Sequence, residues 1–304
     1  MTVPWVAIQR NPNSGSGRRR RYLLDLVRAL KKHGLRPRIF TRRERLDATL
    51  ARPDARESLI CLVPAGGDGT VSDVMNRFPG IPICPFPLGT ENLLCRFLGI
   101  GHDGARVAEL IVAGKTKTLD LGVYLSGPGT DSPVQDSREV RFVLMGSAGF
   151  DAEVIHRLDR VRQGHIGKLT YARPILGAML NYPYPVMRIF VDGSETPIEG
   201  GLIVVSNLPS YAFQLPVTPD AVGNDGLFSV CVFEKPGTCQ LARYFWQMIR
   251  KRHFDRPDVH HLTATQIRIE SDSPVPLQID GEAIGQTPCT LTLLPAALKV
   301  FVPE

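Results

Sequence analysis

Gly66-Gly67-Asp68-Gly69 sits between a short apolar run and a helical pattern, and its residue types suit anion chemistry. Leu59, Ile60, Cys61, Leu62 and Val63 read as a buried strand of a parallel sheet, which Pro64 is expected to stop. Beyond the glycines, Val71, Val74, Met75 and Phe78 recur at helical intervals, with Thr70 or Ser72 placed to cap the start. Strand, glycine turn and helix leave a row of backbone N–H groups at the positive end of a helix dipole, where phosphate binds. Gly66, Gly67 and Gly69 let the main chain approach an anion with no side chains in the way. Asp68 repels phosphate unless a cation or a donor intervenes. It therefore points to Mg²⁺ nearby, or to a side chain turned back onto the loop amides. The alternative is a tight turn closed by an Asx hydrogen bond.

The elements that position this turn follow one pattern. Trp5 to Ile8 is an apolar strand, Asn11-Pro12-Asn13-Ser14-Gly15-Ser16-Gly17 a small polar loop, and Tyr22, Leu23, Leu26, Val27 and Leu30 one face of a helix closed by Gly34. The loop is not a Walker A sequence, because no Lys follows a correctly spaced glycine. Arg18 to Arg21 read as phosphate contacts or as a solvated charge run. Arg38-Ile39-Phe40 is a strand with Thr41 at its end. Pro79 to Pro87 is a strand bordered by prolines, after which Leu88-Gly89-Thr90-Glu91-Asn92 opens a helix. Thr90 and Asn92 offer hydroxyl and amide groups at a strand's carboxyl end, where open α/β sheets bind ligands. Gly99 to Gly104 matches GxGxxG but follows a helix, the wrong context for a dinucleotide fingerprint. Asp103 to Val112 is a further helix, ended by Gly114.

After Asp120 the texture turns to β: Val123–Leu125, Val140–Met145, Met187–Val191, Leu202–Val205, Leu227–Phe233, Gln266–Glu270, Pro276–Ile279 and Thr290–Leu294. This predicts an all-β second domain, a sandwich, interrupted by one helical stretch from Asp151 to about Asn181. The domains are 1–119 and 120–304, with the last strand free to return to the first. Ser126 to Arg138 is a polar insertion read as a loop. From spacing alone, Asp280-Gly281-Glu282 is a hairpin turn with exposed acids and Asn224-Asp225-Gly226 a second turn. Gln240 to Arg252 forms a basic amphipathic helix with Leu241, Tyr244, Phe245, Met248 and Ile249 on one face. That face lies on an anionic membrane or packs against its own domain. Asn181-Tyr182-Pro183-Tyr184-Pro185 is a second interfacial candidate.

At 304 residues the chain accommodates two domains, and 43% apolar and 22% charged content is ordinary for a globular protein. No run of eighteen apolar residues spans a membrane, and the start lacks a signal-peptide layout. Six cysteines without CxxC spacing read as reduced core residues of a cytosolic protein, not as a zinc site or disulfide frame. A net charge of +6 points to an anionic partner: nucleotide, acidic membrane or nucleic acid.

In order, NPNSGSG, GGDGT, PLGTENLL, SAGFDAEV, PDAVGNDGLF and IDGEA resemble the motifs of the diacylglycerol kinase catalytic-domain family, which includes bacterial lipid kinases and sphingosine kinases. The resemblance spans nearly the whole chain. It implies an N-terminal open α/β nucleotide-binding domain of the NAD kinase/diacylglycerol kinase type, followed by a C-terminal β-sandwich for the lipid. The implied reaction is transfer of the γ-phosphate of ATP, with Mg²⁺, to a hydroxyl of a diacylglycerol-like or long-chain-base lipid. Nucleotide contacts carry over to Asn11, Pro12, Asn13, Ser14, Gly15, Thr41, Gly66, Gly67, Asp68, Gly69, Thr70, Val71, Ser72, Thr90 and Asn92. Glu282 becomes the general base, Asp280 holds or polarises the site, and Asp68 stands beside the nucleotide's Mg²⁺. The resemblance also implies a structural Mg²⁺ bound by the Asp225 carboxylate and the carbonyls of Val222 and Leu227, and likens 161–180 to a segment beside the active cleft. One departure stands out: Leu93 occupies a position usually held by Asp, as it is not in sphingosine-kinase-like members. The expected partner is lipid at a membrane surface, met peripherally by a cytoplasmic protein, with no nucleic acid; a homodimer stays open. The rival readings are an NAD kinase-like enzyme and a nucleotide-binding regulator without turnover.

Overall fold

The computed structural model describes residues 3–11, 20–127, 139–161, 177, 181–209 and 215–303. The chain divides into two compact units, Met1–Leu119 with Ala296–Glu304, and Asp120–Pro295.

In the first unit β1 (Trp5–Arg10), β2 (Arg36–Phe40), β3 (Leu59–Gly66) and β4 (Phe86–Pro87) form a parallel sheet in the order β2-β1-β3-β4. Ile83 continues it by parallel bridges to Leu62 and to Val300 of the C-terminal segment. Val6, Ala7, Ile8, Cys61, Leu62 and Val63 are all fully buried, as strands covered on both faces must be. Helices α1 (Arg20–Lys32), α2 (Arg43–Leu50), α3 (Pro53–Glu57), α4 (Asp68–Arg77), α5 (Leu93–Phe97) and α6 (Gly104–Ala113) accompany the sheet. Each core leucine, such as Leu26 or Leu30 of α1, contributes roughly 1.5–3 kcal/mol by leaving water.

Two local expectations need correction. Pro64 does not stop β3, which runs on to Gly66 with Pro64 opposite Gln9 of β1. The fixed φ of proline is compatible with an extended chain, and β4 pairs only from Ala65 onward. Helix α4 starts at Asp68, so Thr70 and Ser72 lie inside the helix, past its cap position; the N-cap is Gly67, which has no side chain to cap with. Other punctuation follows the sequence reading. Gly34 takes φ +77° and donates to the Lys31 carbonyl at the end of α1. Asp103 caps α6 by accepting from the amides of Ala105 and Arg106, and Gly114 ends it at φ +71°. Gly104, last of the GxGxxG match, serves packing. A β-carbon there would fall 2.4 Å from the Leu26 amide nitrogen and 2.5 Å from the Tyr22 carbonyl oxygen of α1.

The second unit is a β-sandwich. One sheet runs β12-β11-β10-β7-β14-β15, built from Val259–Ala264, Phe228–Phe233, Leu202–Ser206, Met145–Gly149, Pro276–Ile279 and Glu282–Gln286. The other runs β6-β5-β16-β13-β8-β9, from Val140–Phe142, Thr116–Ser126, Cys289–Phe301, Gln266–Ser271, Met187–Val191 and Ile198–Gly200. Their inner faces share one core, in which Phe142 of β6 stacks on Phe228 of β11 with ring centroids 5.8 Å apart. Val140 to Met145, expected as one strand, is broken at Val143 and Leu144, whose amides turn to the Asp280 carboxylate. Helices α7 (Phe150–Val161) and α8 (Thr238–Ile249) lie where the helical stretch from Asp151 and the helix from Gln240 were expected.

Helix α8 divides its apolar residues instead of burying them on one face. Tyr244 and Met248 are buried, whereas Phe245 and Ile249 point outward. A polar clamp fixes the buried side: Arg256 forks onto both oxygens of Asp258 at 2.8 and 2.7 Å, and the Tyr244 hydroxyl donates to the same carboxylate at 3.1 Å. Five cysteines are buried and Cys239, on α8, is exposed. Burial raises the thiols of Cys231 and Cys289 to about 12, so neither is a nucleophile near neutral pH. Among the described residues no helix is long and apolar enough to cross a membrane.

Two outcomes follow. Gly104→Ala should lower stability by about 1–3 kcal/mol in urea melts, because the added methyl meets backbone atoms of α1 that cannot rotate aside. The bonds from Arg256 and Tyr244 hold the Asp258 carboxyl at about 2, below its ordinary value, so its contribution is complete above about pH 4 and is lost as pH falls through about 2. Wild type should therefore lose more unfolding free energy across that window than Asp258→Asn.

Candidate functional site

Parallel pairing gathers the expected nucleotide-contacting positions of the first unit. With Gln9 opposite Phe40, Arg10 opposite Ala65 and Gly66 opposite Pro87, the chain leaves β2 at Thr41, β1 at Asn11, β3 at Gly67 and β4 at Leu88, all along one carboxyl edge. The Asn11 amide donates to the Ala65 carbonyl at 3.4 Å, and Thr41 and Thr90 are exposed. Pro12, Asn13, Ser14 and Gly15 lie outside the described residues, as does most of the 161–180 segment.

The two glycine loops at this edge are clipped together. The Gly66 carbonyl accepts from the amides of Leu88 and Gly89 at 2.8 and 3.0 Å. Gly67 and Gly89 touch backbone to backbone: a β-carbon on Gly89 would fall 2.3 Å from the Gly67 α-carbon. Asn92, in the left-handed conformation at φ +51°, closes its own loop through two 2.9 Å bonds, one from the Gly89 amide and one to the Gly89 carbonyl. The Asp68 carboxylate reaches across to accept from the amides of Leu93 and Leu94 at 3.0 and 3.2 Å, capping α5. Burial pushes the Asp68 carboxyl above its ordinary value, and the two amides oppose that shift.

The N-terminus of α4 consequently has no side-chain cap. The row of available amides is shorter than the sequence suggests, since those of Thr70 and Val71 both donate to the Gly67 carbonyl, at 2.9 and 3.3 Å. Val71 and Ser72 are buried, and the Thr70 hydroxyl fills the space beside Gly66 without a hydrogen-bond partner among the described residues. The open donors centre on the Gly67–Gly69 turn.

In the second unit, Asp280 and Gly281 form the turn between β14 and β15 with φ of +49° and +81°, the two-residue type that Asp-Gly favours. Asp280 is buried, and its carboxylate accepts from the amides of Val143, Leu144 and Met145 at 2.9, 2.9 and 3.0 Å. Gln278 receives the Gly281 amide at 2.9 Å and donates to the Ser147 hydroxyl at 2.8 Å and to Asp151 at 3.1 Å. Glu282, next in sequence, is exposed at the start of β15. The turn is rigid, and it presents a carboxylate to solvent.

Asn207 and Asp120, absent from the expected site residues, connect this turn to the Asp225 loop. The fully buried Asn207 amide donates to the carbonyls of Asp120 and Val143, both at 2.8 Å. Asp120 in turn accepts from the Gly226 amide at 2.9 Å, and its own amide donates to the Gly223 carbonyl at 2.8 Å. Asn207 follows an apolar strand and Asp120 sits where the texture changes, so only position in the chain could have flagged them. The Asp225 carboxylate is exposed and accepts from the Leu227 amide at 3.2 Å; Val222 is exposed too. Among the described residues no group of three or more His, Cys, Asp or Glu could hold a metal ion. A cation at the Asp225 loop would meet one carboxylate and main-chain oxygens, a hard donor set suited to Mg²⁺.

Comparison with known proteins agrees with both units. Residues 6–124 match the diacylglycerol kinase catalytic domain, and residues 145–302 match the YegS C-terminal NAD kinase beta sandwich-like domain. A diacylglycerol kinase of Staphylococcus carnosus (strain TM300) is 26% identical over 302 residues, covering 97% of this chain and 94% of the relative. A diacylglycerol kinase of Staphylococcus aureus (strain MRSA252) is 26% identical over 299 residues, covering 97% and 91%. A solved diacylglycerol kinase structure from Bacillus anthracis str. Sterne superposes with a TM-score of 0.70 at 21% identity, covering 99% of this chain and 97% of the other, which speaks to the fold alone.

Gly89→Ala should separate the clipped loops and weaken ATP binding by about tenfold, or about 1.4 kcal/mol, in calorimetric titration. Gly101→Ala, where an added β-carbon meets open space, should bind as wild type does. Equal affinities in the two variants would show that the loop contact does not shape an anion site.

Proposed function

The chain belongs to the diacylglycerol kinase catalytic-domain family and is a lipid kinase, and from that premise we propose that it phosphorylates a hydroxyl of a diacylglycerol-like or long-chain-base lipid, with Glu282 as general base. The observation that carries the proposal is the uncapped N-terminus of α4, held in shape by Asp68 and by the Gly67–Gly89 contact. The Gly67–Gly69 turn grips the triphosphate, with Asn11, Thr41 and Thr90 along the same edge for the rest of the nucleotide. Glu282 takes the proton as the lipid hydroxyl attacks the γ-phosphorus and the bond to the bridging oxygen of ADP breaks. Its neighbour Asp280 touches no reacting atom in this scheme; it is a positioning residue that fixes the turn through the amides of Val143, Leu144 and Met145. Mg²⁺, when bound, neutralises phosphate charge, and a second ion at Asp225 with the carbonyls of Val222 and Leu227 stiffens the loop that Asp120 anchors. The protein works in the cytoplasm and meets its lipid peripherally.

The test is transfer of labelled phosphate from MgATP to lipids in mixed micelles. Glu282→Gln should lower the rate by about 10²–10⁴-fold while leaving ATP affinity unchanged. Transfer to NAD with none to any lipid would replace the proposal with the rival enzyme. ATP binding without transfer to any acceptor would replace it with a regulator.

A further inference from the structure

Helix α8 carries two apolar stripes. Leu241, Tyr244 and Met248, at i, i+3 and i+7, form the inward one: Tyr244 tilts against Phe233 with ring centroids 4.9 Å apart, and Leu241 packs on the cluster of Phe150, Val154, Leu158 and Tyr182. Ala242, Phe245, Trp246 and Ile249, at i, i+3, i+4 and i+7, form the other, and all four are exposed. Phe245, Trp246 and Ile249 leave 47%, 56% and 49% of their surface in solvent, an unusual concentration of large apolar side chains on one helix face. The helix needs only the first stripe to fold onto its unit.

Charge says what covers the second. The segment from Thr238 to Arg252 contains no acidic residue and four cations, Arg243, Arg250, Lys251 and Arg252. On a helical wheel Arg243 and Arg250 flank the Trp246 edge of the stripe, and the Arg250 guanidinium lies over the Trp246 ring, 6.0 Å from its centroid. Arg252 pairs with Asp255, whereas Arg243 and Lys251 make no ion pair among the described residues. An apolar stripe edged by unpaired cations, with an aromatic between them, matches an anionic bilayer surface in both layers. The rings enter the acyl boundary, and the cations stay with the head groups. The neighbouring Tyr184 hydroxyl accepts from Thr238 at 3.2 Å, so the start of the helix is tied to the Asn181–Pro185 segment. We propose that α8 docks the protein on anionic membranes through Phe245, Trp246 and Ile249, with Arg243 and Arg250 at the head-group level. This rests on the lipid-kinase reading for the partner's identity, a bilayer that presents the substrate.

The experiment uses the full chain and vesicles of phosphatidylcholine with and without phosphatidylserine. Wild type should sediment with the anionic vesicles alone, and its emission should shift to the blue on binding. That shift reports Trp246, because the other tryptophan, Trp5, is already buried with its indole N–H on the Ala55 carbonyl. Phe245→Ser/Ile249→Ser and Arg243→Gln/Arg250→Gln should each weaken vesicle binding by about tenfold or more. Trp246→Phe should keep binding and lose the shift. The inference is overturned if wild type ignores anionic vesicles, or if both double variants bind as wild type does. Gel filtration showing that wild type is a dimer which Phe245→Ser/Ile249→Ser splits, with no vesicle binding, would overturn it in favour of self-association. Phosphorylation of a short-chain soluble diacylglycerol is scored separately. Its persistence without vesicle binding sinks the docking surface alone, and vesicle binding without transfer to either this lipid or a soluble short-chain sphingoid base sinks the kinase reading alone.

Discussion

Asp68 begins α4, yet its carboxylate faces the first turn of α5, where it accepts from the amides of Leu93 and Leu94. A capping carboxylate of this kind stabilises a helix start by about 0.5–2 kcal/mol, and here it also ties two loops distant in sequence. That tie acts with the Gly66 carbonyl, which accepts from the Leu88 and Gly89 amides, to hold Gly67 against Gly89, and Asn92 removes further freedom by closing on Gly89. The N-cap of α4 is a glycine, so no capping side chain occupies that end of the helix. The residue that looked hostile to phosphate in the sequence is the one that shapes the turn.

The second unit uses an acid in the same way. Asp280 holds three successive amides at the break between β6 and β7, which makes a two-residue turn rigid. Asn207 fastens the carbonyl side of that break and passes the constraint through Asp120 to the Asp225 loop. In both units a carboxylate satisfies main-chain donors that strand and helix geometry leave over: part-buried Asp68 takes two amides and buried Asp280 takes three.

Much of this was readable beforehand. Periodicity located the strands of the first sheet and most of those in the sandwich, because burial on one or both faces leaves a direct trace in residue type. The Asp-Gly turns were legible for the same reason, since their conformation demands particular residues. Tertiary pairing was not. That Asp68 would cap a helix 25 residues on, or that Val143 and Leu144 would leave the ladder for Asp280, depends on contacts no window contains. Asn207 was invisible because an amide after an apolar strand has no pattern to mark it. The split of α8 into two stripes was hidden because spacing shows that residues are neighbours on a helix, without showing where its own domain ends.

The cysteine distribution has a practical side. Five of the six thiols are sealed in the interior, and the remaining one, Cys239, stands in the opening turn of α8. A maleimide dye or nitroxide offered to the native protein will therefore settle at one address, with no engineering of the sequence. Distance measurements and orientation spectroscopy can begin from the natural chain.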